Sequence, residues 1–124
     1  VLAADTVVAV GRRILPKAET EAQAAACLEL LSGRRHHVLT AVTLVTPEGA
    51  ESHRVSESTV IFARLSAAEM RAYLAGGEWQ GKAGGYAIQG QASAFVRALH
   101  GSYSGVVGLP LFETTQLLKG RGYL

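Results

Sequence analysis

Hydrophobic positions along the chain switch between a period of two and a period near 3.6, and the switches mark its elements. Residues 1–10 are Val, Leu and Ala broken only by Asp5-Thr6, which predicts a strand. Gly11-Arg12 suits a two-residue type II′ hairpin turn with glycine first. Pairing across that turn sets Val10 opposite Arg13, Val8 opposite Leu15 and Thr6 opposite Lys17. Pro16, which has no N–H to give a ladder, marks the return strand as an edge or as its end. Thr20-Glu21-Ala22-Gln23 is a capping box; it opens a helix with Ala24, Cys27, Leu28 and Leu31 on one apolar stripe, stopped by Gly33. Two strands, 37–46 and 52–64, flank a Pro47-Glu48-Gly49 turn. Ser66-Ala67-Ala68-Glu69 is a second capping box, whose helix turns Met70, Tyr73 and Leu74 inward and ends at Gly76-Gly77. After a glycine-rich stretch, residues 94–99 read as a strand, and Pro110 opens a final helix through about Leu118. Strands and helices intermixed, with no internal repeat, predict an α/β or α+β domain.

Composition narrows this to one ordinary globular domain over residues 1–124. Hydrophobic residues make up 48% and charged residues 18%, which excludes a disordered or collagen-like chain. The net charge of +2 is too weak to indicate nucleic acid, and no aromatic residues interleave with Arg12-Arg13 or Arg34-Arg35, so no nucleic-acid partner is expected. The single cysteine, Cys27, excludes an internal disulfide and a Cys-based zinc cluster, which makes a reducing cytoplasm the default. Its place on the apolar stripe predicts a packed thiol. No apolar run approaches the roughly 18–20 residues of a membrane span, so no membrane partner is expected. The first residues are apolar, with no initiator Met and no basic leader region, and the expectation is a fragment of a longer chain.

Candidate chemistry is sparse. Asp5 is the only aspartate, there is no asparagine, and lysines occur only at 17, 82 and 119. Asp5 reads either as a turn cap or ion-pair partner, or as a base or metal ligand at the mouth of the sheet. Strict alternation puts Asp5 on the face opposite Thr6, so bringing it to Lys17 requires twist, a strand end or distortion near Pro16. Gly76, Gly81 and Lys82 satisfy G-x-x-x-x-G-K, but Ala83 replaces the Mg²⁺-binding hydroxyl and a helix precedes the motif where a P-loop needs a strand. A flexible loop remains, open to close approach by a ligand, with Lys82 either a phosphate-binding point charge or a solvated one. Glu78 within it reads as a metal contact, a lysine partner or a solvated carboxylate, and one of the last two is expected. His36 and His37 point to opposite faces of a strand and His53 and His100 lie apart, so no histidine metal site is expected. No G-x-S-x-G elbow supports serine catalysis.

Five blocks, in order, resemble the Maf family of septum-formation-inhibitor-like nucleotide pyrophosphatases. They are Ala4-Asp5-Thr6-Val7-Val8; Leu31-Ser32-Gly33-Arg34 with His36, Val38 and Thr40; residues 82–90 (Lys-Ala-Gly-Gly-Tyr-Ala-Ile-Gln-Gly); Gly101-Ser102-Tyr103-Ser104; and residues 106–111. The Ala-Asp-Thr and Tyr-Ala-Ile-Gln-Gly forms are similar to the branch acting on dTTP and UTP. The resemblance implies an inosine-triphosphatase-like α/β fold, an elongated mixed sheet flanked by helices, with a cleft between two lobes. It implies hydrolysis of a nucleoside triphosphate to monophosphate and pyrophosphate with a divalent cation, Mg²⁺ or Mn²⁺, whose ligands are not identified. By the same resemblance Asp5 is the proton acceptor, Thr6 and Gln89 match positions tied to nucleotide selectivity, and Lys17 and Lys82 match basic residues of the pocket. A homodimer is a further implication. Members begin with a strand and a Ser-rich, Arg-Arg phosphate-binding segment that is not in this sequence. The expectation is therefore a Maf-like domain without its first strand and phosphate loop. The alternative is a non-catalytic chain that binds nucleotide or a cell-division partner; a third reading keeps the enzyme class but turns to modified nucleotides.

Overall fold

A computed structural model describes all 124 residues. Strand β1 (Leu2–Val10) turns at Gly11-Arg12 into the short β2 (Arg13–Leu15), in the expected register of Val10 against Arg13 and Val8 against Leu15. Helix α1 (Glu21–Leu31) follows; Thr20 and Gln23 complete its capping box. A long hairpin of β3 (Arg35–Val45) and β4 (Glu51–Phe62) leads to α2 (Ala67–Gly76), capped by Ser66 and Glu69 and closed by Gly77 in the left-handed conformation. Such caps satisfy the N–H groups that a helix leaves free at its first turn, each contributing about 1 kcal/mol. Beyond the glycine-rich segment, the strand expected at 94–99 is present but starts two residues later. A 3₁₀ turn occupies Gln91–Phe95, and β5 begins only at Val96 and runs to His100. The short helix α3 (Tyr103–Val107) was not legible in the apolar pattern, being too brief for a 3.6 period, and α4 (Leu111–Gly120) follows Pro110.

The α/β class holds. The five strands form one sheet in the order β2-β1-β3-β4-β5, and every pair within it is antiparallel. The sheet is one-sided, as antiparallel sheets can be. His36, Val38, Thr40, Val42 and Leu44 of β3 are buried, as are Ser56, Ser58, Val60 and Phe62 of β4. All are even-numbered, and all share the covered face.

Two bodies cover that face. At one end α1, α2 and the glycine-rich segment enclose the main core, which includes Val8, Leu28, Leu31, Val38, Phe62, Tyr73 and Tyr86. Cys27 belongs to it, 2% exposed, and burial raises its thiol pKa, as expected of a packed cysteine. At the other end α4 brings Leu117 onto Val42 and Leu44. Between the two, α3 lies over a row of small polar side chains, Thr6, Thr40 and Ser56, which are direct neighbours across β1, β3 and β4. Gly105 makes that approach feasible: a Cβ there would stand 2.7 Å from Ser56 Oγ. No helix is long and apolar enough to cross a membrane.

Candidate functional site

A cleft of about 200 Å³ opens between the glycine-rich segment and α3, over β1, and Asp5, Thr6, Lys17, Lys82 and Gln89 all line it. Residues spread over most of the chain therefore meet at one place. Val8, Val38, Tyr86 and Val107 give it apolar walls.

The register decides how the charged groups arrive. The β1–β2 ladder ends at Val8 and Leu15, so Thr6 does not face Lys17 across it. Past Pro16 the chain leaves β1 and pairs with the glycine-rich segment. Gly84 N–H donates to the Pro16 carbonyl (3.0 Å), Gly81 N–H to that of Ala18 (2.8 Å), and Ala18 N–H to that of Lys82 (3.0 Å). Lys17 bridges Ala83, and the two lysines are carried on adjacent backbones. With β2 gone, the outer edge of β1 is free below Val8. The Asp5 carboxylate folds onto that edge, accepting from Thr6 N–H at 3.0 Å, and Lys17 Nζ stands 3.7 Å from Asp5 Oδ1. The strand end at Pro16 is thus what brings Asp5 and Lys17 together against strict alternation.

The glycine-rich segment is not the open loop expected. Gly84 and Gly85, both at positive φ, are buried, and Cβ atoms there would lie 3.0 Å from Val8 Cγ1 and 3.3 Å from Ala24 Cα. These glycines serve close packing of the segment onto β1 and α1, while Gly81, Lys82, Tyr86 and Gln89 of the same segment line the cleft. Gly76 ends a helix, so the G-x-x-x-x-G-K spacing forms no phosphate cradle. Glu78 pairs with no lysine. Its Oε1 accepts from Gln91 N–H at 3.0 Å and pins the turn that follows Gln89.

Behind the wall, His36 is fully buried and its Nε2 is hydrogen-bonded to Tyr86 Oη at 2.6 Å. Burial, reinforced by the nearby His37 charge, lowers its pKa to about 4, so the ring is neutral. Burial also raises the Tyr86 pKa, keeping the phenol protonated. Thr40 completes the polar row: its Oγ1 donates to the Gly105 carbonyl at 2.6 Å and lies 2.9 Å from Thr6 Oγ1. Thr40 escaped the sequence reading as a site residue. Its signal was a hydroxyl in the alternating buried stripe His36, Val38, Thr40, Val42. Val106 and Val107 were missed with α3.

Asp5 is the only carboxylate lining the cleft, and no cluster of three His, Cys, Asp or Glu residues occurs anywhere in the chain. The Asp5 carboxylate is exposed, and one carboxylate suits a hard cation that takes most of its oxygen ligands from a bound phosphate chain.

The arrangement is that of a small α/β domain with a phosphate-compatible cleft, and the chain belongs to the Maf family: the Maf-like protein family model matches residues 1–121. It is 65% identical to the dTTP/UTP pyrophosphatase of Granulibacter bethesdensis over 99% of this chain and 58% of that protein. It is 68% identical to the dTTP/UTP pyrophosphatase of Rhodospirillum rubrum, over 99% of this chain and 59% of the relative. For the dTTP/UTP pyrophosphatase of Paramagnetospirillum magneticum the identity is 64%, over 99% of this chain and 65% of that one. The chain thus spans about three-fifths of the length of the curated relatives it matches.

Proposed function

We propose that this chain carries the reaction centre of a nucleoside triphosphate pyrophosphatase acting on dTTP and UTP. The observation that supports this most is the meeting of Asp5, Lys17 and Lys82 at one cleft with Thr6 and Gln89, in a chain 62–68% identical to proteins named for that activity. Water attacks the α-phosphorus; its new O–P bond forms as the bridging bond to the β-phosphoryl oxygen breaks, and pyrophosphate departs. Asp5 accepts the proton that the attacking water loses. Lys17 and Lys82 neutralise phosphate oxygens as point charges. Gln89, with both a donor and an acceptor, reads the imide edge of uracil or thymine. A divalent cation, Mg²⁺ or Mn²⁺, would be held by Asp5 together with the phosphate oxygens, and when bound it adds charge neutralisation. A reducing cytoplasmic setting accords with the single packed thiol of Cys27.

A second reading, nucleotide binding without turnover, is favoured by one observation: a single carboxylate lines the cleft. Pyrophosphate release from dTTP, UTP and CTP with Mg²⁺, run beside direct nucleotide binding, separates the two. Turnover supports the first; binding without turnover supports the second; neither would overturn both.

A further inference from the structure

Resting on the nucleotide reading above, we infer that Thr40 is a positioning residue: it fixes the hydrogen-bonding sense of the Thr6 hydroxyl and so favours uracil or thymine over cytosine. Thr40 is fully buried, directly across from Thr6 in the β1–β3 ladder. Its Oγ1 has one proton. The Gly105 carbonyl, 2.6 Å away, has none to give and receives it. The 2.9 Å contact between the two hydroxyls can then be made in one sense only, with Thr6 donating to Thr40. The Thr6 proton is thereby spent inside the protein, and Thr6 shows only lone pairs to the cleft.

The Thr6 hydroxyl faces β3 and α3: it lies 2.9 Å from Thr40 Oγ1, and a Cβ on Gly108, just past α3, would stand 3.9 Å from it. The Asp5 carboxylate and Lys17 lie on the opposite, outer edge of β1, and Lys82 is carried on the backbone that pairs with Pro16–Ala18. Phosphates go to the ammonium groups, which leaves the α3 side to the base. An acceptor there takes the N3–H of uracil or thymine, and the Gln89 amide N–H donates to a carbonyl of the same edge. Cytosine presents a bare N3 lone pair, which meets oxygen lone pairs and stays unpaired when water is excluded. A threonine hydroxyl free to rotate would serve either base; one held by Thr40 and the Gly105 carbonyl serves one.

The test is Thr40→Val, which keeps the shape and removes both the acceptor for Thr6 and the donor to Gly105. Affinities for non-hydrolysable UTP and CTP analogues are measured by calorimetry with Mg²⁺ on the full chain, alongside kcat/KM and a thermal melt. The UTP-to-CTP affinity ratio falls about tenfold, with CTP gaining, because the released Thr6 proton can now be donated to cytosine N3. Thr40→Ser, which keeps the hydroxyl, holds the wild-type ratio. If Thr40→Val does not fold, Thr40→Cys, a poor donor and acceptor of similar size, moves the ratio in the same direction by less. A ratio unchanged in the folded variant, or an equal loss on both nucleotides, overturns the inference and leaves the pyrophosphatase reading standing. A wild-type chain that binds neither analogue overturns that reading, and the inference with it.

Discussion

Lys17 Nζ stands 3.7 Å from Asp5 Oδ1, and the contact exists because β2 stops at Leu15, immediately before Pro16. The side chains are 61% and 76% exposed, so the pair adds little to stability. Its consequence is local: an ammonium group lies beside the one carboxylate of the cleft.

Asp5→Asn keeps the shape of the side chain and removes the proton acceptor. Turnover falls by about 10²–10⁴-fold, nucleotide affinity is held within a few-fold, and the melting curve is unmoved. Pyrophosphate release, calorimetry and a thermal melt on the same preparation check this. Full turnover in Asp5→Asn would remove Asp5 from the chemistry.

Gln89 lines the cleft from an exposed position, so truncating it costs no folding energy of note. In Gln89→Ala the preference for dTTP and UTP over purine nucleotides drops about tenfold. A panel of nucleotides at fixed enzyme concentration measures it; an unchanged pyrimidine preference would sink the assignment of Gln89 to the base.

Gly81 and Gly84 share a φ of +72°, but a Cβ on Gly81 would meet nothing within 4 Å, while one on Gly84 would lie 3.0 Å from Val8 Cγ1. Gly81→Ala pays the left-handed backbone penalty alone, about 1–2 kcal/mol. Gly84→Ala adds overpacking against β1, a further ~1–3 kcal/mol. Urea unfolding of the two variants reads the difference, and equal losses would show that the close approach to Val8 costs nothing.

His36 makes stability fall in acid. Its folded pKa, lowered to about 4 chiefly by burial, lies below the 6.5 of an unfolded histidine, so between these values the unfolded chain binds the extra proton. The contribution is complete above pH 6.5, drains away as pH falls toward about 4, and amounts to ~3 kcal/mol across that window. His36→Gln loses ring packing against Phe62 and Tyr86 and is less stable at pH 7, yet its stability slopes less between pH 6.5 and 4. Denaturant titrations at several pH values compare the slopes; equal slopes would place the acid sensitivity elsewhere.

Local signals were legible wherever the physics is local. Capping boxes at Thr20 and Ser66, the Gly11-Arg12 turn with its register and the inward stripe of α1 need only neighbours a few residues away. Two local features lacked such a signal. Residues 91–95 wind into a 3₁₀ turn that apolar content does not distinguish from a strand, and α3 is a single turn and a half. In the glycine-rich segment the residue type was informative but its reason was not: positive φ and missing Cβ atoms serve contact with Val8 and Ala24.

By itself, then, the sequence determined the α/β class and most elements, and pointed to Asp5, Thr6, Lys82 and Gln89 through ordered blocks of family resemblance and to Lys17 as a matching basic residue outside them. Only the tertiary structure decided that these five share one cleft. That depends on where the β1–β2 ladder stops, on segment 81–84 pairing with Pro16–Ala18, and on α3 settling over Thr6, Thr40 and Ser56. Each is a contact between residues far apart in the chain, which periodicity and propensity do not encode. The direction of the Thr6 hydroxyl belongs with them, because a carbonyl 65 positions beyond Thr40 fixes it.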